Sequence, residues 1–139
     1  MTRAGLKVRD YLTRSVITVT PETEITRAVS MLIGNDVSGL VVTDGADHVL
    51  GILTERDCIR TATQSGYFDE LGGPVSDFMS APAISVSPDD DLVEIAMRFV
   101  DSKYRRFPVV ENGRLVGIIC RRDVLRALLR SPWFAQPGL

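Results

Sequence analysis

Histidine is almost missing from this chain, with His48 alone among 139 residues, and cysteine occurs only at Cys58 and Cys120. One histidine and two cysteines cannot assemble a structural zinc site from the usual ligand sets. The two cysteines fall at non-equivalent places of a repeated pattern, so no disulfide framework is expected and a cytoplasmic protein with reduced thiols is. No apolar run approaches the roughly 20 residues of a membrane span. Met1-Thr2-Arg3-Ala4-Gly5 leads directly toward a polar helix and lacks the apolar centre of a signal peptide. An excess of one charge is missing too, since a net charge of −2 gives no reason to expect a nucleic-acid surface. His48 lies in a polar turn with no nucleophile suggested beside it, and neither cysteine has an evident base. The expectation is therefore a non-enzyme.

What is present is an ordinary globular composition, 45% hydrophobic and 24% charged, long enough for one compact domain or two very small ones. The chain also repeats itself. Val8-Arg9-Asp10-Tyr11-Leu12-Thr13 matches Val75-Ser76-Asp77-Phe78-Met79-Ser80 at an offset of 67, which also pairs Pro21 with Pro88 and Leu40 with Phe107. One residue is then lost in a turn, and an offset of 66 pairs Gly51-Ile52-Leu53-Thr54-Glu55-Arg56-Asp57 with Gly117-Ile118-Ile119-Cys120-Arg121-Arg122-Asp123. A single-residue slip inside a loop is where a duplicated fold tolerates one.

Each copy reads as strand, helix, strand, strand, helix behind a short amphipathic opening helix, Val8 to Leu12 or Val75 to Met79. Thr20-Pro21-Glu22 and Ser87-Pro88-Asp89 each offer a hydroxyl N-cap, a proline at the first helical position and an acid in the first turn. Ile25, Ala28, Val29 and Leu32 then have the spacing of a helix burying one face, as do Leu92, Ile95, Ala96 and Phe99. Two short apolar strands follow around Asp44-Gly45, and two more around Asn112-Gly113, a strong hairpin signal. Neither unit is large enough to bury its sheet alone, so the copies are expected to pack on each other.

The ending of glycine, two apolar residues, a hydroxyl residue, two variable residues and aspartate resembles the CBS domain. The tandem pair resembles a Bateman module over about Val8 to Leu128. The motif is complete in Gly51 to Asp57, while Cys120 replaces the hydroxyl in Gly117 to Asp123. Tyr104-Arg105-Arg106-Phe107-Pro108-Val109-Val110 is similar to the family's second signature, with a degenerate version at Val37-Ser38-Gly39-Leu40-Val41-Val42.

The resemblance implies an α+β fold of CBS domain 1 (8–60), a linker (61–74), CBS domain 2 (75–128) and a C-terminal tail (129–139). The repeats would pack sheet to sheet about a pseudo-twofold axis, leaving two clefts for an adenosine-containing ligand: AMP, ADP, ATP, NAD(H) or an S-adenosylmethionine-like compound. It implies no required cofactor, an adenine nucleotide as regulatory ligand, a homodimer formed through the helices and a separate effector protein. The competing expectation is a structural or protein-interaction dimer with vestigial clefts.

Particular residues carry these expectations. An ionised carboxylate accepts bonds from both hydroxyls of a ribose, each worth about 1.5–3 kcal/mol. Asp57 and Asp123, at helix starts, are placed for this, although an aspartate there improves capping with or without a ligand. Thr54 is a candidate donor to a phosphate or ribose oxygen, and Cys120 a poorer one. Arg105 and Arg106 supply charge whose planar fork suits phosphate, or else form a solvated basic edge. Lys103 stands nearby, and at the positions matching Lys103, Arg105 and Arg106 the first copy has Asp36, Ser38 and Gly39. By the family's pattern Arg105 and Arg106 group with Asp123, the base lying near Thr13 to Ile17 and Val37-Ser38. The other cleft would have Thr54 and Asp57, with Ala81 to Ile84 and Tyr104 near the base. Trp133 and Phe134 need burial against the module or a second subunit.

Overall fold

The computed structural model describes residues 6–65 and 72–130, with Ser65 described by its backbone alone. The chain divides into two compact units, one spanning Val16–Ala83 and the other joining the segment up to Ser15 with the chain from Ile84 onward. We name them by their buried aspartates, the Asp57 unit and the Asp123 unit.

The Asp57 unit runs β1 (Thr18–Val19), α1 (Ile25–Gly34), β2 (Gly39–Thr43), β3 (Val49–Thr54) and α2 (Glu55–Ser65), closed by a single 3-10 turn at Val75–Asp77. Its sheet has the order β1-β2-β3, with β1 parallel and β3 antiparallel to β2. The Asp123 unit begins with the equivalent 3-10 turn at Val8–Asp10 and continues with α3 (Leu92–Asp101), β4 (Arg106–Glu111), β5 (Arg114–Cys120) and α4 (Arg121–Arg130). β4 and β5 pair antiparallel, and a lone parallel bridge from Val86 to Val109 stands where β1 stands in the other unit. The mixed α+β architecture of two repeats is as expected.

The apolar periodicity places the cores. Ile25, Ala28 and Leu32 of α1 are buried with Leu40, Val42 and Leu53, and Leu92, Ile95 and Phe99 of α3 with Phe107, Val109 and Ile119. At Asn112-Gly113 both residues take positive φ, 54° and 79°, as a two-residue type I′ turn requires. The longer first-copy loop closes instead around Asp44, whose Oδ1 accepts from the Ala46 and His48 N–H groups at 2.8 and 3.0 Å.

The helix starts differ from expectation. Thr20 and Ser87 are not N-caps, because α1 begins after Glu24 and α3 after Asp91, whose carboxylate accepts from the Val93 N–H at 3.0 Å. The residues between form turns whose carbonyls are used elsewhere. Pro21 and Thr23 accept from the Ser76 and Val75 N–H groups, and Pro88 and Asp90 from those of Arg9 and Val8. An intrahelical bond would have claimed those oxygens. The opening helices shrink to three-residue 3-10 turns for the same reason, since their N–H groups bond across the unit. In the segment expected as a linker, α2 continues to Ser65.

Those bonds join the two sequence copies inside each compact unit. The opening turn of the first copy packs on the second copy's core, where Val8 is wholly buried, and that of the second on the first copy's core through Val75 and Phe78.

The motif glycines mark where the exchanged segments cross. Thr13 and Ile118 exchange backbone bonds of 2.8 and 2.9 Å, and Ser80 and Ile52 bonds of 2.9 and 3.0 Å. A Cβ on Gly117 would lie 2.7 Å from the Thr13 carbonyl oxygen, and one on Gly51 would lie 2.6 Å from that of Ser80. Only hydrogen fits beneath either strand.

A candidate ribose-binding carboxylate in each unit

β3 runs into α2, and β5 into α4, with no intervening loop, so the last strand residue caps the helix that follows. At the first junction the cap is reciprocal. Thr54 N–H donates to Asp57 Oδ2 and Asp57 N–H donates to Thr54 Oγ1, both at 3.0 Å. This is a capping box with aspartate in place of the usual glutamate. At the second junction Cys120 N–H donates to Asp123 Oδ2 at 2.8 Å. A thiol is a weak acceptor for the return bond.

Both aspartates are buried, Asp57 at 5% and Asp123 at 3% exposure. Their second oxygens have equivalent partners. Asp57 Oδ1 accepts from Ser80 Oγ at 3.0 Å and pairs with Arg60 at 3.5 Å. Asp123 Oδ1 accepts from Thr13 Oγ1 at 3.3 Å and pairs with Arg126 at 2.7 Å. A buried carboxylate needs such donors. Each aspartate is thus already structural, joining a strand-helix junction to the segment that crosses it.

Around Asp123 the structure gathers Thr13, Tyr104, Arg105, Arg106 and Cys120 in one unit. Arg106 pairs with Cys120 across the β4–β5 ladder. Arg121 reaches back to this edge, its N–H meeting the Arg105 carbonyl at 3.4 Å and its guanidinium the Tyr104 carbonyl at 3.1 Å. The Tyr104 ring lies 5.7 Å from that of Phe107. Burial pushes the Cys120 thiol above its ordinary pKa and the Asp123 charge adds to this, while Arg106 and Arg126 oppose it. The thiol is therefore neutral, a poor nucleophile beside a carboxylate and two guanidinium groups.

The Asp57 unit also holds Thr54, Val37, Ser38 and Ile17, of which Thr54 bonds Asp57 directly. The Ser38 carbonyl accepts from the Glu55 N–H at 3.0 Å, and Ile17 and Val37 pack against the core of this unit. Ile17, Val37 and Ser38 thus share a unit with Asp57, and Thr13 and Tyr104 share one with Asp123. Trp133 and Phe134 lie outside the described residues.

Three residues at these junctions were not singled out from sequence. Ser80 is the offset partner of Thr13, and Arg60 and Arg126 each follow their aspartate by three positions, one helical turn. The repeat itself carried the signal for all three. Among the described residues no group of His, Cys, Asp and Glu is arranged to hold a metal, and no helix is long and apolar enough to cross a membrane.

The CBS domain profile matches this chain twice, over residues 8–63 and 75–130. The chain belongs to the CBS-domain family. Each match begins at one of the 3-10 turns, so each CBS repeat in sequence lends its opening turn to the compact unit of the other. An uncharacterized 17.7 kDa protein of Acidianus ambivalens is 31% identical over 135 residues, covering 95% of this chain and 80% of that protein. The uncharacterized protein MJ1225 of Methanocaldococcus jannaschii is 31% identical over 91% of this chain, which spans only 44% of that protein's length. Among solved structures, CBSX2 of Arabidopsis thaliana in complex with AMP is similar at a TM-score of 0.79 and 28% identity, covering 91% of this chain and 98% of that one.

Proposed function

We propose that this CBS pair is a non-catalytic regulatory module that binds an adenosine-containing ligand, with the ribose hydroxyls on one of the two buried aspartates. The carrying observation is the duplicated carboxylate at a helix start, in a chain whose structural relative CBSX2 was solved with AMP. AMP, ADP, ATP, NAD(H) and S-adenosylmethionine-like compounds all present the diol that such a carboxylate reads. A phosphorylated ligand favours Asp123, because Arg105 and Arg106 stand in the same unit while the matching first-copy positions carry Ser38 and Gly39. Charge contributes more here than the one hydroxyl that Cys120 lacks.

We assign the chain no reaction of its own. His48 is spent on Asp44 at 2.8 Å in an exposed loop, and burial pushes both thiols away from their reactive form. The two free cysteines suit a reducing cytoplasm, and the signal would pass to a separate effector protein.

Calorimetric titration with AMP, ATP, NADH and S-adenosylmethionine tests the reading. At least one should give saturable heat and raise the melting temperature. Asp123→Ala and Arg106→Ala should each weaken that binding by about tenfold or more, the loss of a charge-assisted bond, without unfolding the chain. Silence from all four ligands would discard ligand sensing.

The second reading is a protein-interaction module. Met97 and Val100 on α3 and Leu125 and Leu129 on α4 are exposed by 60% to 84%, more apolar surface than a solitary unit needs. A homodimer through these helices accommodates both readings, and sedimentation at micromolar concentration would report it.

A further inference from the structure

A carboxylate offers about four lone-pair positions for hydrogen-bond donors. Asp123 already fills three, with Cys120 N–H on Oδ2 and Thr13 Oγ1 and Arg126 Nη2 on Oδ1. A cis-diol donating both its hydroxyls needs two positions, so one present donor must leave. The Cys120 N–H is fixed at the strand-helix junction, and the Thr13 hydroxyl, uncharged and at 3.3 Å, competes for the oxygen less than the guanidinium at 2.7 Å. The Arg126 side chain is 58% exposed and sits on the outer face of α4. It is the strongest mobile competitor for the carboxylate, and water receives a guanidinium at little cost.

We propose that Arg126 is a displaceable counter-ion that competes with the ligand's ribose diol for Asp123, and so sets the affinity of this site. The proposal rests on the ribose reading above. Arg60 stands in the same relation to Asp57 at 3.5 Å, against 2.7 Å for Arg126 on Asp123, so the competition is stronger in the Asp123 unit. Arg126 thus holds the carboxylate satisfied in the empty protein and must be expelled by the diol. A ligand with a single ribose hydroxyl uses the fourth position and leaves Arg126 in place.

That difference makes the test specific. AMP and 2′-deoxy-AMP are titrated into the full chain and into Arg126→Met, Arg126→Lys, Thr13→Val and Asp123→Ala, with melting curves to check folding. Arg126→Met should tighten AMP by about two- to fivefold, the worth of a partly exposed ion pair, while 2′-deoxy-AMP stays unchanged. Arg126→Lys, which keeps the charge, should stay near the parent protein. The proposal is overturned if Arg126→Met weakens AMP, if it tightens both nucleotides alike, or if Thr13→Val alone produces the gain. Those results leave the ribose reading standing provided Asp123→Ala still weakens binding by about tenfold or more. AMP binding indifferent to Asp123→Ala, or no AMP binding at all, removes the ribose reading and this proposal with it.

Discussion

Thr54 and Cys120 occupy the same junction, and only threonine closes the reciprocal cap. Cys120→Thr should restore the missing bond from the Asp123 N–H and stabilise the chain by about 0.5–1 kcal/mol, read as a higher urea midpoint at unchanged slope. The gain should depend on pH with a defined sign. Burial raises the folded-state pKa of the Cys120 thiol, so its contribution is intact below the ordinary thiol range. It is lost as pH rises and the unfolded thiol ionises first. The advantage of Cys120→Thr should therefore widen on the alkaline side, and a constant difference between pH 7 and pH 10 would refute this origin. Both buried aspartates were legible as pattern. Their partners Ser80, Arg60 and Arg126 were not, because a side chain one helical turn away matters only when its neighbour's oxygen faces it.

At the scale of the element, a motif glycine is a crossing point. The added methyl of Gly117→Ala would press on the Thr13 carbonyl, and that of Gly51→Ala on the Ser80 carbonyl, both backbone atoms already bonded in place. Each substitution should cost about 1–3 kcal/mol in chemical denaturation, the usual range for overpacking. Gly45→Ala, with open space around it, serves as the neutral control. Alternating apolar residues and Asn112-Gly113 identified β4 and β5 because strand pairing and turn geometry are local matters. Thr20-Pro21 and Ser87-Pro88 misled for the opposite reason. A hydroxyl and a proline are good helix starters in isolation, but here the turn's carbonyls serve the opening segment of the other copy.

At the scale of the whole molecule, each repeat is incomplete in sequence and complete in space. A fragment of residues 16–83 contains every described part of the Asp57 core, whereas a fragment of 1–65 lacks Val75 and Phe78 from it. The first should unfold cooperatively in urea and show native-like helical circular dichroism, and the second should not. Cooperative folding of 1–65 alone would mean the exchange is dispensable. Val8→Ala in the intact chain should lower stability through the Asp123 unit by about 2 kcal/mol, the scale of a truncated core side chain.

The sequence by itself determined the duplication, the order of strands and helices, the apolar face of each helix and an aspartate at the helix start after each glycine motif. All of these follow from spacing along the chain. Only the tertiary structure decided which copy's opening turn covers which core. Val8-Arg9-Asp10-Tyr11-Leu12-Thr13 and Val75-Ser76-Asp77-Phe78-Met79-Ser80 present the same apolar and hydroxyl positions. Either would satisfy either sheet locally, and no short-range preference separates the two pairings.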